Sequence, residues 1–151
     1  MSEVGFYHLT RTTLEAALPR MLERTLERGQ RAVVMAGSAE RVEALNAWLW
    51  TYNDRAFLPH GATSDGHGVD QPIWLTERDE RPNEADVLFL TDAARSERVA
   101  EFARCAVLFD GTDPETEAAA RAHWRALKAA GHDLTYYRQD EAGRWARETG
   151  G

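Results

Sequence analysis

Three basic residues at helical spacing form the clearest candidate binding surface in this sequence. Arg121, Arg125 and Lys128, here named the basic ridge, recur at i, i+4 and i+7 within an alanine-rich stretch that predicts a helix over residues 115–130. Trp124 lies one step around the same helix, in a strip of apolar side chains. Because arginine binds carboxylates through two parallel hydrogen bonds, the ridge would suit an acidic peptide that ends in an apolar group.

The same residues also have a purely structural interpretation. Basic side chains near the end of a helix stabilise it by interacting with its dipole, and Trp124 could belong to the core. Helical spacing alone does not choose between ligand binding and helix stabilisation, so both interpretations stay open at this point.

A second candidate surface combines Trp50 with the segment Phe57-Leu58-Pro59-His60. Trp50 falls at the end of the predicted second helix, off its apolar face, and the segment follows where the helical pattern stops. Aromatic residues grouped at the end of an element can cover a core or form a docking site for another protein. Composition does not decide between these two roles.

Motifs for nucleotide binding and nucleophilic catalysis are absent from the sequence. The first predicted strand is followed by Thr10-Arg11-Thr12-Thr13, where dinucleotide-binding folds have glycines, and no G-x-x-x-x-G-K-[ST] or G-x-S-x-G pattern occurs. Gly37-Ser38 could form an anion-binding turn, but an ordinary strand–helix connection is the preferred interpretation. A small α/β nucleotide-binding domain or enzyme therefore remains only an alternative, and we expect no catalytic residues.

The possible metal ligands lie in one glycine-rich loop. His60, Asp65, His67 and Asp70 have neither a cysteine nor a helix-borne histidine pair beside them, so we interpret the loop as solvated and expect no metal and no cofactor. Cys105, the single cysteine, lies within an apolar run and is predicted to be buried rather than reactive.

Strand and helix patterns alternate along the chain. They predict a single-domain α/β fold, a Rossmann-like three-layer sandwich around a mostly parallel sheet without a nucleotide-binding glycine loop. The domain is expected to span residues 1–138, with a polar C-terminal tail over 139–151 in which Trp145 is the only strong anchor. The strands are predicted at 4–9, 31–36, 73–75, 87–90, 106–109 and 134–138. The first helix is predicted between a cap at Thr12 or Thr13 and a stop at Gly29, and the others from Ser38 onward and at 96–104 and 115–130.

Composition limits the classes of function. The chain has 151 residues, which suits one domain, and a formal net charge of −7, which disfavours a binder of duplex DNA. No signal peptide is visible and no apolar stretch is long enough to cross a bilayer, so we expect a cytoplasmic protein without membrane association.

Several segments, in order along nearly the whole chain, resemble the chi subunit family of bacterial DNA polymerase III. The last segment, which contains the basic ridge, is the strongest of them. The segments are Phe6-Tyr7-His8-Leu9, residues 45–50 before Phe57-Leu58-Pro59-His60, Phe109-Asp110-Gly111, and residues 121–137 with Ala130-Gly131-His132 and Leu134-Thr135-Tyr136-Tyr137.

The resemblance implies an accessory subunit of the clamp-loader complex with no catalytic activity of its own. Members of the family bind the acidic C-terminal tail of single-stranded DNA-binding protein, which ends in proline and phenylalanine after several aspartates. The tail-binding positions of the family match Arg121, Arg125 and Lys128, with Trp124 where the family often has an aromatic residue. Association with single-stranded DNA would then be indirect.

The resemblance also implies a second partner. Chi proteins bind the psi subunit, and in some bacteria a repair helicase, through a separate surface whose matching positions are Trp50 and Phe57-Leu58-Pro59-His60. The sequence departs from some relatives over residues 61–70 and 77–84, at the edges of that surface.

Overall fold

The structure is a computed structural model that describes residues 2–51, 60–62, 68–142 and 144–148. Strands alternate with α-helices over residues 3–51 and again over 104–139, as the sequence patterns predict, whereas the described residues between 61 and 103 form strands and short 3₁₀ turns. The strands are β1 (Glu3–Leu9), β2 (Ala32–Met35), β3 (Gly61–Ala62), β4 (Ile73–Thr76), β5 (Val87–Leu90), β6 (Arg104–Asp110), β7 (Asp133–Gln139) and β8 (Trp145–Glu148), and the helices are α1 (Leu14–Glu27), α2 (Ala39–Thr51) and α3 (Pro114–Ala129).

The strands form one sheet in the order β3-β4-β2-β5-β6-β1-β7-β8. Within the described part of the chain, neighbouring strands pair in parallel except for β7 and β8, which are antiparallel. Helices α1 and α2 pack on one face through apolar residues such as Leu18 and Leu45, and α3 packs on the other through Leu127. The predicted α/β sandwich around a mostly parallel sheet is confirmed.

Capping residues explain where α3 begins and ends. The Asp113 carboxylate accepts a hydrogen bond of 3.0 Å from the Glu115 amide, and Pro114 occupies the first turn, where a missing N–H costs nothing. Gly131, with φ of 90°, takes the left-handed conformation that ends the helix without strain. The predicted range of residues 115–130 is therefore shifted by one residue at each end.

The predicted helix over residues 96–104 is wrong. Only Val99–Glu101 is helical, as a single 3₁₀ turn, and β6 already begins at Arg104. The side chain of Ser2 donates hydrogen bonds to the carbonyl oxygens of Val99 (2.8 Å) and Phe102 (2.5 Å), so long-range contacts take the place of helical ones. Burial of Val99 and Phe102 in the core further holds this segment against the sheet.

The C-terminal segment over residues 139–151, which we predict from the sequence to be a polar tail, contains strand β8. Trp145 packs against the core and lies edge-on to the ring of Tyr7, with ring centroids 5.1 Å apart. This aromatic contact fixes β8 beside β7 and extends the sheet by one strand. The anchoring role expected of Trp145 is thus observed, together with a strand that its polar neighbours do not reveal.

Candidate peptide-binding groove

A groove of about 300 Å³ opens between α3 and the sheet. One wall is α3, and the other wall and floor are formed by β6, β1 and β7, which are adjacent in the sheet. Strand alternation places Phe6 of β1 and Tyr136 of β7 on this face, paired in register. The lining residues are Phe6, Phe109, Glu117, Ala120, Arg121, Trp124, Arg125, Tyr136 and Arg138.

The helical wall carries two members of the basic ridge. Arg121 and Arg125 are exposed and line the groove, whereas Lys128 lies one turn further along α3 and does not line it. Arg121 forms an ion pair of 2.9 Å with Glu117, four residues earlier. Among the described residues, Arg125 and Lys128 form no ion pair, so their charges are available to an acidic ligand.

Trp124 connects the groove to the core. Its ring lies edge-on to Phe6, with centroids 5.2 Å apart, and to Tyr136, with centroids 6.1 Å apart. The side chain is half-buried, so it packs on the core and also presents part of its surface in the groove. The core packing considered for Trp124 is therefore observed, and part of the same ring remains accessible in the groove.

A buried histidine supports the floor of the groove. His8 is 3% exposed, stacks on Phe109 with ring centroids 4.8 Å apart, and forms a hydrogen bond through Nδ1 with the Tyr136 hydroxyl. A Cβ atom on Gly111 would lie 1.7 Å from His8 Nε2, so glycine is required there for the imidazole to fit. His8 thus sets the position of the Tyr136 ring.

Arg138 adds a third guanidinium from the opposite wall. It lies near the end of β7, two residues after Tyr136 and on the same face of the sheet, in register with His8. Strand alternation indicates that Tyr136 and Arg138 share a face, but the sequence does not reveal that this face meets α3. Sequence reasoning therefore missed Arg138, and it also missed Glu117, the acidic residue that lines the same groove.

Comparison with known proteins identifies the family. Residues 1–135 match the family described as DNA polymerase III chi subunit, HolC.

The chain belongs to the DNA polymerase III chi subunit family.

A curated protein from Rickettsia prowazekii (strain Madrid E), "Probable DNA polymerase III subunit chi", is 31% identical over 105 residues, or 68% of this chain. The matched segment spans 64% of that relative's length. The family match covers α1, α2, α3 and the start of β7, and so includes the helical wall of the groove.

Two other titratable groups in this chi-family chain are structural. Burial lowers the pKa of His123 to about 4, with a smaller contribution from Arg95, and its neutral ring packs edge-on to Phe6 with centroids 5.6 Å apart. Burial likewise raises the pKa of the Cys105 thiol to about 12, which leaves the thiol protonated and unreactive at neutral pH. The expected burial of Cys105 is confirmed.

The second candidate surface is only partly within the described residues. Trp50 is 52% exposed at the end of α2, and its ring lies 4.2 Å from the ring of His60. His60 is buried, with Nε2 3.3 Å from the carbonyl oxygen of Asn46. Phe57, Leu58 and Pro59 lie outside the described residues.

At the positions where phosphate-binding folds hold their ligands, backbone amides of this protein donate hydrogen bonds to its own side chains. The Gln139 side-chain oxygen accepts hydrogen bonds of 3.0–3.2 Å from the amides of Thr10, Arg11 and Thr12, directly after β1. At the Gly37-Ser38 turn, the Gly37 amide donates to the Asp92 carboxylate over 3.2 Å. The three amides after β1 and the Gly37 amide are therefore not open to a phosphate.

The candidate metal loop falls partly outside the described ranges, which exclude Asp65 and His67. Within those ranges, no group of three histidine, cysteine or acidic residues is arranged to hold a metal ion. The described helices also include none that is both long and apolar enough to span a bilayer.

Proposed function

We propose that this chi-family protein is a non-catalytic accessory subunit of the DNA polymerase III holoenzyme that binds the acidic C-terminal tail of single-stranded DNA-binding protein in the groove beside α3. By holding that tail, it would link the clamp-loader complex to protein-coated single-stranded DNA during replication. The observation that supports this most is the meeting of three guanidinium groups, those of Arg121, Arg125 and Arg138, around a floor of aromatic rings.

The chemistry of the groove matches both parts of such a tail. A terminal phenylalanine would pack against Trp124, Phe6 and Tyr136, whose rings already meet edge-on and can accept another aromatic ring in the same way. The aspartates before it would pair with the arginines of the two walls. Lys128 lies beyond the groove on the same helix and would meet an earlier aspartate of the tail.

The affinity for one tail should be modest and sensitive to salt. Exposed ion pairs contribute about 0.2–1 kcal/mol each and are screened by salt, so the buried aromatic anchor must supply the rest. Many tails on one coated strand would raise the effective concentration and hold the complex in place without tighter individual contacts.

Calorimetry with a peptide of the cognate tail tests the site. Arg125→Ala and Lys128→Glu are expected to weaken binding while leaving the melting temperature within about 2 °C, because both side chains are exposed and form no ion pair within the described part of the chain. Arg20→Ala, an exposed arginine on α1 outside the groove, is the matched control. Unchanged affinity in both ridge variants would exclude this site.

We propose that the exposed face of Trp50 docks a second protein, the psi subunit or an equivalent clamp-loader component, or in some bacteria a repair helicase. An exposed aromatic ring that packs against a buried residue, here His60 with the ring planes at 40°, is a typical anchor for a protein interface. A pulldown of co-expressed psi should lose its signal with Trp50→Ala and keep it with Arg125→Ala. Loss in the groove variant but not at Trp50 would reverse the assignment.

Nucleotide binding at the carboxyl ends of the strands is the rival function, and a thermal-shift screen with ATP, GTP and NAD tests it. We expect no saturable stabilisation, because Gln139 and Asp92 already occupy the amides that a phosphate would need. A clear, saturable rise in melting temperature with any of the three would revive the nucleotide-binding interpretation.

A further inference from the structure

A second basic site lies on the opposite face of the sheet from the groove. A pocket of about 380 Å³ opens between the C-terminal end of α1 and strands β5, β6, β1, β7 and β8. It is named the arginine pocket here, because four arginines line it: Arg24, Arg28, Arg104 and Arg147. They come from α1 and from two separate strands, so only the folded chain brings them together.

The floor of the arginine pocket is aromatic. Tyr7 of β1 is in register with Tyr137 of β7, and Arg147 of β8 is in register with Tyr137, so the three side chains form a row across the sheet. The two tyrosine rings are stacked, with centroids 4.8 Å apart and planes at 12°. A Cβ atom on Gly5 would lie 2.8 Å from the Tyr7 ring, so glycine lets this ring lie flat against β1.

Three of the four arginines lie close enough to Tyr7 to act on it electrostatically. Burial raises the pKa of Tyr7, while Arg104, Arg28 and Arg24 are all close enough to act in the opposite direction. Arg104 has an ion-pair partner, Glu3, at 3.7 Å. In the part of the chain that the structure describes, Arg24, Arg28 and Arg147 form no ion pair.

Helix stabilisation does not account for the whole set. Arg24 and Arg28, at the end of α1, favour the helix dipole, but Arg104 and Arg147 are carried by strands and gain nothing from it. Four cations meeting in one pocket of a chain with a net charge of −7 indicate a site for an anion.

We propose that the arginine pocket binds a nucleotide unit of single-stranded nucleic acid. Guanidinium groups bind phosphates bidentately, and tyrosine rings stack on bases of any sequence. The carboxylates of Glu3 and Asp133 also line the pocket, where they can accept hydrogen bonds from the N–H groups of bases, including the ring N–H of thymine.

This proposal does not depend on tail binding, because the two sites lie on opposite faces of the sheet. If both proposals hold, the chi-family protein would bind the tail in the groove and also contact the single-stranded DNA directly through the arginine pocket. Salt dependence measures the number of phosphates that are neutralised. The two phosphates that flank one bound nucleotide predict a slope of about −1.4 in a plot of log affinity against log salt concentration.

Fluorescence anisotropy with a labelled oligothymidylate of about 15 nucleotides tests the site at low salt, a length chosen from the usual footprint of single-strand binders. The double variant Arg24→Glu, Arg28→Glu should weaken binding by at least tenfold, and Arg147→Gln alone should reduce the salt slope by about 0.7. All three side chains are exposed, so circular dichroism melting should show intact folding. Arg20→Glu, at an exposed arginine of α1 that lines neither the arginine pocket nor the groove, is the control and should bind DNA as the wild type does.

Three results would overturn the proposal. The first is no saturable binding of the oligonucleotide by the wild type, and the second is equal binding by the double variant. The third is displacement of the labelled oligonucleotide by free thymidine monophosphate or by polyglutamate at the concentration at which unlabelled oligonucleotide displaces it. This result would indicate a pocket for free nucleotides or for anions in general. Preserved DNA binding alongside lost tail-peptide binding in Arg121→Glu would separate failure of this site from failure of the groove.

Discussion

Removing the acidic residue of the groove should tighten tail binding. Glu117 lines the groove and holds Arg121 in an ion pair of 2.9 Å, so its carboxylate competes with the carboxylates of the ligand for the same guanidinium. The change Glu117→Gln keeps the size of the side chain and removes its charge. We therefore expect affinity to rise in this variant, whereas substitutions in a binding site usually lower it.

The expected gain follows from two contributions. A like charge about 7 Å away in water costs about 0.6 kcal/mol, which salt screening reduces by roughly half. Freeing Arg121 from an exposed i,i+4 pair returns about 0.3–0.5 kcal/mol to ligand binding. At low salt, where the first contribution is nearly unscreened, the sum is about 1 kcal/mol and corresponds to about a fivefold lower dissociation constant. At physiological salt the sum falls to about 0.7 kcal/mol, or about threefold.

Calorimetry with the tail peptide measures this gain, and Glu115→Gln is the matched control. Glu115 is in the first turn of the same helix and carries the same charge, but it does not line the groove. Both variants should lose about 0.3–1 kcal/mol of stability, because acidic residues at a helix N-terminus favour its dipole. Unchanged or weaker binding in Glu117→Gln, or an equal gain in Glu115→Gln, would refute a local competition for Arg121.

Three further predictions concern the core behind the groove. Gly111→Ala should lower the melting temperature by about 5–10 °C in a thermal melt, because the new methyl group displaces His8; an unchanged value would mean that the imidazole moves freely. Trp124→Phe should keep most of the stability but lose tail affinity, whereas Trp124→Ala should lose both; equal affinity in the wild type and both variants would remove Trp124 from the binding site. The pKa of His123 falls from 6.5 to about 4 on folding. The neutral histidine therefore contributes up to about 3 kcal/mol of stability, which is complete above pH 6.5 and is lost as the pH falls toward 4. His123→Gln should flatten this pH dependence in urea melts, and an unchanged pH profile would contradict the prediction.

Elements whose signals are local could be predicted from the sequence. The start and end of α3 follow from Asp113, Pro114 and Gly131, whose conformational preferences act within one turn. Short apolar runs identified the buried strands β2, β4 and β5 in the same way. The local pattern is wrong for residues 96–104, where it predicts a helix that does not form. There the structure is decided by long-range hydrogen bonds from Ser2 to residues 99–102.

The same limit applies to the candidate site. Helical spacing was sufficient to group Arg121, Arg125 and Lys128, because it involves one element only. Arg138 joins the groove through the adjacency of β1 and β7 and the side on which α3 packs, neither of which any local pattern encodes. The fit of His8 above Gly111 likewise requires two residues that are distant in sequence but meet in the fold.

The most direct test of tail recognition compares two forms of the cognate single-stranded DNA-binding protein, full-length and lacking its last residues, in calorimetric titrations against the wild-type chain. Binding through the groove predicts saturable binding to the full-length form, no detectable binding to the truncated form, and weakening of the former by Arg125→Ala. Equal binding of the two forms would contradict the proposed function.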